Sequence, residues 1–139
     1  MPGIPSTRPA SDEAKVRELL ERWVSAVHAQ DLETVLSDRT DDIWMFDVPP
    51  PEDGVRGTAA YHEVWPPFLE FQRSGALFEL VELQVTAGPD VAWAAALLRC
   101  GMPEELDREP DRRLRLTFGL RKVDGRWLVG HEHQSFTLA

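Results

Sequence analysis

Residues 113–136 read RLRLTFGLRKVDGRWLVGHEHQSF, two runs of alternating apolar and polar residues joined by Asp124-Gly125. An Asp-Gly pair supplies the two positive-φ positions of a tight turn whose twist matches that of its flanking strands, so the stretch predicts an antiparallel hairpin. With a two-residue loop, Val123 faces Arg126, and counting outward pairs Leu120 with Val129, Phe118 with His131 and Leu116 with His133. Directly paired residues share a face of a sheet. One face then carries Leu114, Leu116, Phe118 and Leu120 beside Trp127, Val129, His131 and His133, while the other carries Arg115, Thr117 and Arg121 beside Glu132 and Gln134. The first is apolar except for its two imidazoles and should meet a second layer. A one-residue bulge would exchange the assignments.

Upstream, residues 77–87 and 91–102 read as two more long strands, separated by Gly88-Pro89-Asp90. A three-residue loop there sets Val85 opposite Trp93, Leu83 opposite Ala95 and Glu79 opposite Arg99. Ala94, Ala95 and Ala96 are too small to fill space on either face, which suggests room for a ligand or a close-packed partner. Residues 103–112 are a charged excursion between strands.

Before residue 77 the spacing is mostly helical. Ser11 predicts the cap of a helix that carries Asp12 and Glu13 in its first turn and a stripe of Val16, Leu19, Leu20, Trp23 and Val27, ending near Ala29. Asp31 caps a second, short helix with Leu32, Val35 and Leu36 inward, ended by the polar run 38–42. Residues 43–48 read as a strand, after which Pro49, Pro50 and Pro51 force an extended loop, and residues 54–57 allow only a short edge strand. Thr58 is the expected cap of a third helix with Tyr61, Val64, Trp65, Phe68 and Phe71 inward, kinked or restarted at Pro66-Pro67. Helices followed by sequential antiparallel strands imply an α+β layer architecture.

Length and charge bound the function. A chain of 139 residues suits one core, taken as residues 11–139 after a mobile tail of residues 1–10 that holds Pro2, Pro5 and Pro9. A formal net charge of −9, spread along the chain, repels phosphate backbones and anionic lipid surfaces, so neither nucleic acid nor membrane is an expected partner. The N-terminus carries no secretory signal pattern, which makes a cytoplasmic address the expectation. Cys100 has no partner for an internal disulfide and sits beside apolar strand residues, so it reads as packing and not as a nucleophile.

The order of a Trp-bearing helix, Asp31-Leu32, Trp44-Met45-Phe46-Asp47, Arg56-Gly57, Val123-Asp124-Gly125-Arg126-Trp127 and His131-Glu132-His133 resembles the SnoaL-like, ketosteroid-isomerase-like superfamily over about residues 12–136. That resemblance implies a cone: three N-terminal helices in the concave face of a strongly curved, mainly antiparallel six-stranded sheet, with a pocket inside and a homodimer through the outer sheet face. It implies activity less sharply, because the superfamily holds isomerases, dehydratases, cyclases, epoxide hydrolases and members that only bind or assemble. The ketosteroid-isomerase pattern expects a tyrosine on the first helix, whereas the only tyrosine here is Tyr61 on the third.

The candidate catalytic group is Asp47 with His131 and His133, since a carboxylate can orient an imidazole and an imidazole can move a substrate proton. The alternative is that the histidines hydrogen-bond within the core and Asp47 caps the proline loop. The His-x-His spacing also admits a metal, but no further ligand is evident, so none is expected. Candidate substrate contacts are Trp44, Tyr61, Trp65, Trp93 and Phe118 as apolar walls and Arg99 for an anionic group, against the readings that the aromatics are core and that Arg99 pairs with Glu79. The expected function is cofactor-independent proton transfer on a small apolar or cyclic molecule, of the isomerase, dehydratase or cyclase kind. The rival is a ligand-binding or dimerisation domain of the same fold.

Overall fold

The computed structural model describes residues 10–137, so the tail expected over residues 1–10 lies, but for Ala10, outside the described residues. Helix α1 spans Asp12–His28 and α2 Leu32–Leu36, followed by strand β1 at Arg39–Phe46, β2 at Val55–Arg56 and helix α3 at Thr58–Arg73. Strands β3 (Leu77–Ala87) and β4 (Val91–Gly101), the short helix α4 (Pro103–Arg108), and strands β5 (Leu114–Val123) and β6 (Arg126–Phe136) complete the order. The six strands form one sheet in the order β2-β1-β6-β5-β4-β3, antiparallel except where β1 runs parallel to β6. The expected α+β class and helix-on-sheet layering hold, with a fourth helix inside the charged excursion at residues 103–112.

Local chemistry explains the helix starts. Ser11 accepts from the Ala14 amide at 3.1 Å, and Asp31 accepts from the Thr34 amide at 3.3 Å, which satisfies amides that lack an intrahelical partner. Thr58 does not cap α3. Gly57, at φ +85°, takes that position without a side-chain bond, and the Thr58 hydroxyl turns to the Asp41 carbonyl at 3.4 Å. Pro66 and Pro67 lie inside α3 and do not end it. The carbonyls that their missing amides leave free belong to His62 and Glu63, both exposed, where water can satisfy them.

The core lies between α1, α3 and the sheet's concave face. Trp23 is its hub: the ring meets Trp65, Phe78 and Phe118 edge-on at centroid distances of 5.6, 5.8 and 5.6 Å. Ala92, Ala94, Ala96, Leu98 and Cys100 alternate inward along β4. Ala95 faces the opposite side, over a shallow hollow shared with Arg115 and Thr117.

Register decides what else faces the helices. From Val123 opposite Arg126 to Leu120 opposite Val129 the hairpin pairs as its turn dictates. Gly130 then stands as an extra residue, and beyond it Gly119 faces His131, Phe118 faces Glu132, Thr117 faces His133 and Leu116 faces Gln134. The expected pairs of Phe118 with His131 and Leu116 with His133 are thus displaced by one. A similar shift marks the other hairpin, where Trp93 faces Thr86 and Ala96 faces Leu83, until an irregularity at Val81 restores Glu79 opposite Arg99.

Candidate functional site

A cavity of about 490 Å³ opens between α3, the proline loop after β1, and the concave face of the sheet. Trp65, Phe68 and Phe71 come from α3, Val48, Pro49 and Pro50 from the loop, Cys100 and Leu114 from β4 and β5, and Gln134 and Phe136 from the end of β6. Asp47, in the bend that follows β1, brings the one carboxylate among these walls. Its Oδ1 accepts from the Val48 amide at 2.7 Å, so the side chain is held by its own turn, as the loop-capping alternative anticipates. Burial pushes the Asp47 carboxyl above the ordinary carboxylate range, with the Val48 amide pulling the other way. A half-buried acid with an apolar wall opposite is suited to exchanging a proton with a bound molecule.

Apart from the cavity walls, a buried charged cluster joins β1, α3 and β6. Glu132 is fully buried, and its Oε1 accepts from Arg39 Nη2 at 2.9 Å and from the Tyr61 hydroxyl at 3.0 Å. Arg39 Nε donates to the Tyr61 oxygen at 3.1 Å, and the guanidinium lies 5.3 Å from the centre of the Trp23 ring. Burial pushes Glu132 up, Arg39 and Tyr61 pull it down, and the charge of Asp47 adds to the rise. The same burial, with Glu132 beside it, pushes the Tyr61 phenol up, so this hydroxyl stays a donor. Glu132 Oε2 has no hydrogen-bond partner among the described residues.

The register shift redistributes the other candidates. Alternation from buried Glu132 sends His131 and His133 to the convex face, contrary to the expectation that they point at the helices. There His131 Nδ1 lies 2.6 Å from the Trp44 carbonyl, and Phe46 meets both imidazoles edge-on at 5.2 and 5.3 Å. His133 meets Asp47 across a second, more open hollow of about 450 Å³ on the outer side of the proline loop, and among the described residues no hydrogen bond joins Asp47 to either histidine. Trp44 also leaves the cavity: Arg56 stacks on its ring at 3.5 Å, and its indole N–H donates to the Asp53 carbonyl at 3.0 Å. Trp93 is 52% exposed on the convex face, and Arg99 pairs there with Glu79 at 3.6 Å. Phe118 packs in the core on Trp23, and Tyr61 serves the Glu132 cluster. Of the sequence candidates, Asp47 and Trp65 line the cavity.

Gln134, Glu132 and Arg39 are what the sequence reading missed. Gln134 and Glu132 belong to the concave face, and not to the outer surface assigned to them. Arg39 sits in a polar run that ends α2 but already belongs to β1. The signal for the first two was Gly130: a glycine inside an otherwise regular strand often marks a bulge. Cys100 keeps the role expected of it, a buried wall residue whose thiol burial pushes up to about 12, far from the thiolate a nucleophile needs. Among the described residues, no cluster of three His, Cys, Asp or Glu side chains is placed to hold a metal ion. No helix there is long and apolar enough to cross a membrane.

Comparison with known proteins agrees with this architecture. The model of the SnoaL-like domain family matches residues 16–139. An NTF2-like protein of unknown function from Pseudomonas putida KT2440 is 36% identical, with a TM-score of 0.78 over 88% of this chain and 84% of that one. A protein described as a candidate ketosteroid isomerase from Shewanella frigidimarina is 18% identical, with a TM-score of 0.70 over 85% and 92%. One described as a candidate aromatic ring hydroxylase from Novosphingobium aromaticivorans is 19% identical, with a TM-score of 0.65 over 96% and 94%. At these identities the last two carry the fold alone. No curated protein matches.

Proposed function

The chain belongs to the SnoaL-like family, and we propose that it binds a small apolar or cyclic molecule in the cone and exchanges a proton with it through Asp47, without a cofactor. The observation that carries this reading is a carboxylate, raised by burial, in the wall of an otherwise largely apolar cavity. Bound substrate would complete the exclusion of water, which strengthens every electrostatic interaction inside. The role first assigned to an Asp47–histidine group falls to Asp47 by itself, since both imidazoles lie on the far side of the sheet.

The test uses 2-tetralone, a bicyclic ketone with exchangeable protons beside its carbonyl. In deuterated buffer the protein should accelerate loss of the α-proton signal, and Asp47→Asn should slow that exchange about a hundredfold or more while 2-tetralone still binds. Binding without acceleration would favour a purely ligand-binding domain. Absence of binding would end the cavity reading altogether.

The convex face supports assembly. Val91 and Trp93 are exposed at 65 and 52%, two large apolar residues on the outer side of β4, opposite Arg121 and Gly119 of β5. A C2 homodimer would cover them, with Arg115 and Thr117 nearby as first expected but with His131 and His133 in place of Glu132 and Gln134. Sedimentation at micromolar concentration should give a dimer, and Trp93→Glu a monomer. A wild-type monomer there would remove this part of the proposal.

A further inference from the structure

A second, smaller hollow of about 210 Å³ adjoins the cavity under α4. Phe68, Phe71, Cys100 and Phe136 line both spaces, so the two share walls. What the smaller one adds is a cation. Arg112 lines it, its guanidinium held 4.5 Å from the centre of the Phe136 ring. The Arg112 Nε is buried and has no hydrogen-bond partner among the described residues.

The contacts that Arg112 does make leave it available. Its Nη1 lies 3.2 Å from Glu109, but that pair is spaced i,i+3 and about a third or more exposed on both sides, a geometry that contributes little. Glu105, the other charged residue of the hollow, accepts from the Met102 amide at 3.3 Å and so closes the first turn of α4. A buried guanidinium N–H without an acceptor is costly, and a planar carboxylate matches the fork that Arg presents.

We propose that the ligand is an amphipathic acid, with an apolar body in the main cavity and a carboxylate reaching the Arg112 hollow. This rests on the cavity being a binding site, and it adds the substrate class: a carboxylic acid on a ring or chain skeleton, oriented with its head away from Asp47. The arginine first expected to meet an anionic group was Arg99, which the sheet turns outward onto Glu79. Arg112 takes that role from the strand-connecting segment.

Paired isosteric probes test the assignment: 2-naphthylacetate against the neutral 2-naphthylacetamide, titrated by calorimetry at low salt into wild type, Arg112→Gln and Arg112→Lys. Wild type should bind the acid about tenfold more tightly than the amide. Arg112→Gln should erase that preference by weakening the acid more than the amide, and Arg112→Lys should retain part of it. Equal affinities in wild type, or a preference that survives Arg112→Gln, would overturn the Arg112 assignment and leave the cavity standing. Failure of both probes to bind wild type would overturn the cavity reading and this one together.

Discussion

Replacing Arg39 with methionine is expected to destabilise the domain by about 3–5 kcal/mol, because it strands a buried carboxylate. Arg39 and Glu132 side chains are 4 and 0% exposed, so water cannot take over from the lost partner. The tyrosine bond to Oε1 remains, but Oε2 already has no hydrogen-bond partner among the described residues. The loss should also depend on pH. In the native fold burial already raises Glu132, and removal of the guanidinium raises it further. A raised carboxyl contributes stability that is present below its unfolded value and is lost as pH rises through the folded one. The variant should therefore be relatively less destabilised in mild acid than at pH 8. Converting both partners, Arg39→Met with Glu132→Leu, should recover part of the loss, since a well-packed apolar pair of similar volume is often as stable as a buried ion pair, less the cost of leaving the buried Tyr61 hydroxyl without its acceptor. Urea melts of the single and double variants measure both. A single-variant cost below about 1 kcal/mol, or a double variant no better than the single, would show that the pair does not act as described.

The hairpin shows why the fold was legible and the site was not. Asp124-Gly125 sets the turn, and the pairing from Val123 through Leu120 follows from counting. Hydrophobic periodicity places α1, the start of α3 and the four long strands within a residue or two, because those patterns report burial. The site depends on parity, which a single residue inverts: Gly130 adds one position to β6, and the imidazoles and the glutamate change sides. Nothing local forbids either face to His131-Glu132-His133. What fixes it is Arg39, 93 positions away, whose guanidinium makes a buried glutamate tolerable. Asp47 and Trp65 were legible because each sits at the end or on the inner stripe of an element whose pattern was clear. Arg112 was not, because its importance comes from Phe136 and the hollow beneath α4.

Trp127 lies before the bulge, so its assignment to the concave side survives the register shift, and Trp127→Ala is expected to cost about 3–5 kcal/mol. The ring is 5% exposed at the end of the hairpin. Its indole N–H donates to Asp12 Oδ1 at 3.0 Å, and Lys122 reaches the same oxygen at 2.9 Å while lying 5.1 Å from the ring centre. This joins the first turn of α1 to the last hairpin, two elements 115 positions apart. Truncation removes the ring and leaves a void that neighbours fill only in part. Trp127→Phe keeps most of the apolar area and loses the donor, so it should cost a smaller fraction, and its pH dependence identifies the missing bond. Lys122 first, and Trp127 after it, hold the Asp12 carboxyl below its ordinary value of 3.8. A depressed carboxyl contributes stability that is present above the unfolded value and is lost as pH falls through the folded one. The gap between wild type and Trp127→Phe should accordingly be constant near neutrality and narrow as pH drops below about 4, while the Trp127→Ala deficit persists there because a void does not titrate. Denaturant melts between pH 3 and pH 7 separate the two contributions, and an alanine variant within about 1 kcal/mol of wild type would place the ring outside the core after all.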